Sequence, residues 1–199
     1  MILPQSFYNR PTLTVARELL GARLVRVLNG VQLVGLIVET EAYIGETDLA
    51  CHAKVGLTPR TAPMYGPAGR AYVYFTYGNH WMFNVATERE GFPAAVLIRA
   101  IQPIEGIAVM TERRNGRDTL GPGKLTQAMG IAKSENNVDL TRSNSKLRIE
   151  TGQAVPDQNV SVGPRVGLNK TPEPWLSKPW RFLIKKTIFN IEEKNYGIA

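Results

Sequence analysis

Asn29-Gly30 stands between two runs in which apolar residues alternate with polar ones, Ala22–Leu28 and Val31–Tyr43. Asn-Gly supplies the two positive-φ positions of a tight hairpin turn, so this pattern is the strongest short-range signal for two antiparallel strands. A second hairpin is expected from Ala71–Tyr77 and Trp81–Ala86, turning at Gly78-Asn79, and Ala94–Ile101 reads as a further strand, apolar except for Arg99. Helices are expected at about Thr14–Leu20, stopped by Gly21, then at Glu105–Arg114, and at Lys124–Ile131 behind Gly121-Pro122-Gly123. Residues 133–160 are polar and read as loop with short structure. The chain then returns to the core through Trp180, Phe182 and Ile184, and residues 185–199 form a charged tail expected to fray. Strands in the centre with helices at the flanks give an α+β fold, a mostly antiparallel, curved sheet flanked by helices.

Nothing divides the 199 residues convincingly, so a single domain with a core over about residues 6–184 is expected. The formal charge of +7 and the pI near 9.7 favour a polyanionic partner. Cys51 is the single cysteine, which rules out an internal disulfide and suits a reducing compartment. The N-terminus lacks a signal-peptide pattern, and no run reaches the ~20 apolar residues of a membrane span. A cytoplasmic protein with no membrane partner is expected, associated with the nucleoid if the source is prokaryotic.

Three stretches carry chemistry. In Val38-Glu39-Thr40-Glu41-Ala42-Tyr43, strand alternation puts Glu39, Glu41 and Tyr43 on one face. Alone, that is as consistent with a wet strand surface as with a site. Arg99 changes the balance, because a guanidinium inside an apolar strand requires a carboxylate partner, and Glu41 is a candidate. Leu97 shares the face of Arg99. In Tyr72-Val73-Tyr74-Phe75-Thr76-Tyr77-Gly78, Tyr72 and Tyr74 share a face and Tyr77 sits at the turn, able to stack or wedge. Metal binding is not expected: two His and one Cys fit none of the zinc spacings. Gly121-Pro122-Gly123-Lys124 is not a nucleotide-binding loop, since Asp118 and Leu125 occupy positions where that motif requires Gly and Ser or Thr.

These motifs together resemble the 3-methyladenine (alkyladenine) DNA glycosylases. The resemblance runs through Val38–Tyr43, then Asp48, Ala50, His52, Gly56, Thr58 and Arg60, and on through Tyr72–Gly78 and Asn84. It continues in Val96–Ala100, Gly121–Leu125 and Pro164-Arg165-Val166-Gly167, and covers about residues 6–184. Leu120 and Asn79 depart from the family pattern, standing where Ser and an apolar residue are common.

The resemblance implies a sheet like that of the formyltransferase C-terminal domain and an activity in base-excision repair. An alkylated or deaminated purine would be flipped from double-stranded DNA and its N-glycosidic bond hydrolysed, leaving an abasic site. By the same resemblance Glu41 is the general base, and Arg99 with the backbone carbonyl of Val166 positions the water. Tyr43, His52 and Tyr74 wall the base pocket, Asn84 crowds the 2-amino group of guanine, and Leu97 packs in the site. Tyr77 is the wedge that fills the gap in the duplex. Lys54, Arg60, Lys124 and Arg165 are expected on the DNA backbone. No cofactor is implied, and a monomer is expected. The rival readings are a nucleic-acid binding module without chemistry, a bifunctional glycosylase/lyase, and a formyltransferase-like substrate domain.

Overall fold

The computed structural model describes residues 1–76, 78–168 and 170–185. In chain order the elements begin with helices α1 (Gln5–Tyr8) and α2 (Thr12–Glu18) and the hairpin of β1 (Arg23–Leu28) and β2 (Val31–Ile44). A 3-10 turn, His52–Val55, and the short α3 (Ala62–Tyr65) lead to β3 (Ala71–Thr76), β4 (His80–Ala86) and β5 (Ala94–Glu105). Helices α4 (Ile107–Arg113) and α5 (Pro122–Met129) follow, then the short strands β6 (Leu147–Glu150), β7 (Val160–Gly163) and β8 (Arg181–Ile184).

All described strand pairs are antiparallel, and the main sheet runs β3-β4-β5-β2-β1-β6. The 14-residue β2 is its spine: β5 lines one edge, while β1 and then β8 share the other. Both expected hairpins form, β1 with β2 and β3 with β4. Asn29 and Gly30 take φ of 50° and 82°, as a tight right-twisting hairpin requires. The polar stretch 133–160, read as loop with short structure, contributes β6, which pairs with β1; β7 begins at its end and pairs with β8. Each is only four residues long, too short for period-two alternation to rise above its surroundings. The fifth strand runs on to Glu105, past the expected end at Ile101, and so delays α4 to Ile107.

The two faces of the sheet differ. One carries Leu24, Ile37, Val73, Phe83, Val85, Val96 and Ile98 against Val15, Ala16 and Leu19 from the α2 region and Leu125, Ala128 and Met129 of α5. Thr40, on this core face, is fully buried and donates its hydroxyl to the carbonyl of Ala16 at 2.8 Å. The opposite face bears a smaller cluster of Cys51, Ala53, Met64, Tyr72 and Ala95, with Tyr43, Tyr65 and Tyr74 packed against it.

Register between β2 and β5 shifts at three places, the first between Val34–Glu105 and Gly35–Pro103, which leaves Ile104 unmatched. Ile37 faces Ile101 and Glu39 faces Ala100, which leaves Val38 without an opposite number. Glu39 then faces Ala100 and Thr40 faces Ile98, which leaves Arg99 without one. Bulges of this kind re-aim a side chain, and this one delivers Arg99 between Glu39 and Glu41.

Candidate active site

A cross-strand row forms the floor. Tyr72 on β3 faces Asn84 on β4, Asn84 faces Leu97 on β5, Leu97 faces Glu41 on β2, and Glu41 faces Arg181 on β8. Residues directly opposite in a sheet project from the same side, so five strands present one polar and aromatic row to the second face. Above it lies a cavity of about 320 Å³, large enough for a small planar ligand. Its lining includes Tyr43, His52, Tyr74, Asn84, Leu97, Arg99 and Val166. The pocket residues named from sequence are therefore brought together around one recess.

Glu41 lies just behind that lining, its side chain fully covered. Oε1 accepts the backbone N–H of Val166 at 2.7 Å and lies 3.4 Å from Nε of Arg99. Oε2 accepts the hydroxyl of Tyr43 at 2.8 Å. The wet-surface reading of this strand face fails, because every contact of Glu41 is made in the interior. The closer partner of Arg99 is Glu39, at 3.0 Å, and Arg181 also reaches Glu39 at 3.1 Å. Burial pushes the Glu41 carboxyl above its usual range, against the opposing pull of Arg99, Val166 N–H and the Tyr43 hydroxyl. Desolvation is a larger effect than the Arg99 charge.

Tyr43→Phe is expected to keep the ring and remove one of the donors that favour the carboxylate. Its activity should fall about tenfold on the acid limb of the pH profile and little on the alkaline side, the cost of one hydrogen bond to a charged group. Equal loss on both sides, measured across a full pH profile, would separate Tyr43 from Glu41.

The walls are interlocked. His52 packs edge-on to Tyr74 with centroids 4.5 Å apart, and its Nδ1 lies 2.8 Å from the Tyr72 hydroxyl. Burial, with Arg60 and Lys54 nearby, pushes His52 down to about 4, so the ring is neutral at neutral pH. Asn84 is buried and donates its amide to the carbonyl of Tyr72 at 3.0 Å. Cys51 lines the recess, and burial pushes its thiol up to about 12. Among the described residues, no three of His, Cys, Asp or Glu converge as metal ligands.

Several expectations change. Val166 also meets Glu41 through its N–H, a contact that sequence reasoning did not assign to it. Arg165 was expected on the DNA backbone, but its side chain is fully buried in an ion pair with Asp48 and cannot reach a phosphate. Lys124 is held by both carboxylate oxygens of Asp118 at 3.0 Å, so that position presents an ion pair where a free cation was expected. Lys54 is exposed and donates to the carbonyl of Leu49. Arg60 is exposed and lies over the Tyr74 ring, 5.2 Å from its centroid. Tyr77, the expected wedge, and residues 186–199 of the tail lie outside the described residues. Sequence reasoning gave no role to Glu39 or Arg181 and counted Asp48 only as part of a motif. A buried acid inside a polar turn leaves no local trace of its partner more than a hundred residues away.

A curled antiparallel sheet thus holds an aromatic recess over the buried Glu41 and its neighbour Arg99. The profile of the family described as Methylpurine-DNA glycosylase (MPG) matches residues 6–188. A protein of Myxococcus xanthus is 50% identical over 183 residues, covering 92% of this chain and 90% of its own length. One of Methanocella arvoryzae is 47% identical over 191 residues, covering 94% of each. One of Carboxydothermus hydrogenoformans is 46% identical over 189 residues, covering 93% and 96%. All three are provisionally named 3-methyladenine DNA glycosylase. The chain belongs to the methylpurine-DNA glycosylase family and is a DNA glycosylase of base-excision repair.

Proposed function

We propose that the protein flips cationic alkylated purines, such as 3-methyladenine and 7-methylguanine, out of double-stranded DNA and hydrolyses their N-glycosidic bonds. The observation that carries this reading is the burial of Glu41 between Val166 N–H, Tyr43 and Arg99, three groups that all line the recess. A general base works best with a pKa near the operating pH, and burial moves Glu41 in that direction. Glu41 takes a proton from water as the sugar gains oxocarbenium character. Arg99 and the Val166 segment orient that water, and the purine leaves with its ring charge neutralised. Ordinary glycoside hydrolysis uses a second carboxyl group as acid. A base that is already cationic departs without one.

The aromatic walls favour such a base: a cation on a ring face gains ~0.5–2 kcal/mol, here from Tyr43 and Tyr74, with neutral His52 adding no repulsion. The same neutrality leaves no cationic acid at His52 for uncharged lesions such as hypoxanthine, which should be released more slowly. Asn84 narrows the floor against the 2-amino group of guanine, and Leu97 closes it. Tyr77 fills the gap in the duplex. Lys54 and Arg60 take phosphates, and the net charge of +7 supports the affinity for DNA. Among the described residues no lysine lines the recess, which supports simple hydrolysis to an abasic site over a lyase reaction. The protein acts as a monomer on chromosomal DNA, in the cytoplasm if its source is prokaryotic. Among the described residues, no helix is long and apolar enough to cross a membrane.

Incubation with methylated duplex DNA tests the reading. Methylated purines should appear free in solution, identified by mass, and borohydride should trap no protein–DNA adduct. No released base would refute the proposed reaction, and a trapped adduct would favour the lyase.

A further inference from the structure

Behind Tyr43, on the side away from sequence neighbours of the base pocket, a fully buried ion pair has no part in the reaction as described so far. Arg165 grips Asp48 with both ends of its fork, Nη1 to Oδ2 at 2.6 Å and Nη2 to Oδ1 at 2.9 Å. The remaining donor capacity of those nitrogens goes to the backbone: Nη1 to the carbonyl of Ala42 at 3.0 Å and Nη2 to that of Trp175 at 3.3 Å. Its guanidinium lies against the rings of Tyr43 and Trp180, 4.7 and 4.9 Å from their centroids. Asp48 in turn accepts the N–H of Ile44 at 3.2 Å and of Ala50 at 3.0 Å. One pair thus ties the end of β2, the turn that leads into the Cys51–His52 wall, and the segment carrying Val166.

A buried pair of this kind is a poor stabiliser, because desolvation of two charges can cancel their attraction. Its value here is geometric. Arg165 is covalently next to Val166, whose N–H meets Glu41, and it supports Tyr43, whose hydroxyl meets the other oxygen of Glu41. Asp48 also cancels the charge of Arg165, so the back of the Tyr43 ring carries an ion pair and not a lone cation that would repel a cationic base.

We propose that Asp48 and Arg165 are positioning residues, whose pairing holds the Val166 amide and the Tyr43 hydroxyl on the two oxygens of Glu41. The proposal rests on the role of Glu41 as base. The other charged or titratable groups around Glu41 are Glu39 on β2, Arg99 on β5 and Arg181 on β8, and none of them touches the Asp48–Arg165 pair.

Arg165→Lys keeps the charge opposite Asp48 and loses the fork. Single-turnover base release from methylated duplex DNA should fall roughly 10- to 10²-fold at pH 6, as expected when a reacting group is misplaced by about 1 Å. The acid limb of the pH profile should move to higher pH, because Glu41 loses a donor to its ionised form, while lesion-DNA binding stays within a few-fold. A slower variant with an unmoved acid limb would reduce the pair to structural support and overturn the proposal. In the wild-type protein, the Val166 amide should exchange slowly with solvent, and its proton shift should titrate at the same midpoint as activity. An amide that exchanges at free-loop rates overturns the proposal even if Arg165→Lys does not fold. Glu41→Gln run in parallel separates the two claims. If that variant releases base normally, the reading of the site has failed; if it is inactive and the Arg165→Lys limb is unmoved, only the positioning role has.

Discussion

Glu41→Gln is expected to cut base release from methylated duplex DNA by at least ~10²-fold, the usual contribution of a positioned general base. Gln is nearly isosteric and its carbonyl oxygen still accepts the Val166 N–H, so the pocket should keep its shape and its affinity for lesion DNA. Binding and catalysis therefore separate in this variant. A pure binding module would have no use for a carboxylate near phosphates and would lose nothing. Wild-type rates of base release, with unchanged binding, would remove Glu41 from the chemistry. The pH dependence of the wild-type enzyme has a related signature. With Glu41 as the proposed base, activity should require its carboxylate and be lost as pH falls through its raised pKa. Stability runs the other way. Between the ordinary carboxylate range and that raised value, the folded state binds the proton more tightly than the unfolded one, so rising pH lowers this group's contribution to stability. The enzyme is expected to be more active and less stable across the same window.

Arg99→Gln should have the next largest effect, and on both quantities. Among the described residues it leaves Glu41 with no cation within salt-bridge reach, while Glu39 keeps Arg181. Removing one partner of a buried pair costs roughly 3 kcal/mol or more, equivalent to a melting temperature lower by about 6–12 °C in a chain of this size. Glu41 can limit that cost by taking up a proton, which is the state that cannot act as base. Base release at neutral pH should fall at least ~10²-fold, and Arg99→Lys should recover part of it. The melting deficit should shrink in acid, where Glu41 is protonated in both proteins. An equal deficit at pH 5 and pH 8, with wild-type rates, would show that Arg99 does not act through Glu41.

The sequence made the central sheet legible because its signals are local. Asn29-Gly30 and Gly78-Asn79 mark turns by backbone chemistry alone, and alternation along Val38–Tyr43 separates Glu41 and Tyr43 from Thr40 and Ala42 before any packing is known. The faces fell as that alternation required, with Thr40 in the core and Glu41 beneath the recess. Less could be read where the cause is distant. Arg99 was visible as a charge needing a partner, but its preference for Glu39 over Glu41 depends on a bulge, which needs both strands to be seen. Arg165 is a basic residue in a basic protein, so a phosphate contact was the natural expectation. Only the fold reveals Asp48 beside it. The strands β6 and β7 are edge partners recruited by an existing sheet, and their sequences carry little preference of their own.

Two of the register shifts between β2 and β5, those at Val38 and Arg99, offset one another. Val38 is surplus on one strand and Arg99 on the other, so pairing resumes at Thr40–Ile98 as though neither were present. The surplus Val38 is also what lets Ile37 and Thr40, three residues apart, share the core face. An unmatched deletion at Val38 would leave the surplus on β5 uncompensated and shift pairing beyond it by one residue, taking Glu41 out of line with Leu97. Length along this seam is thus fixed as a matched pair, and the surplus residue on β2 is itself held apolar, because Val38 is buried in the core.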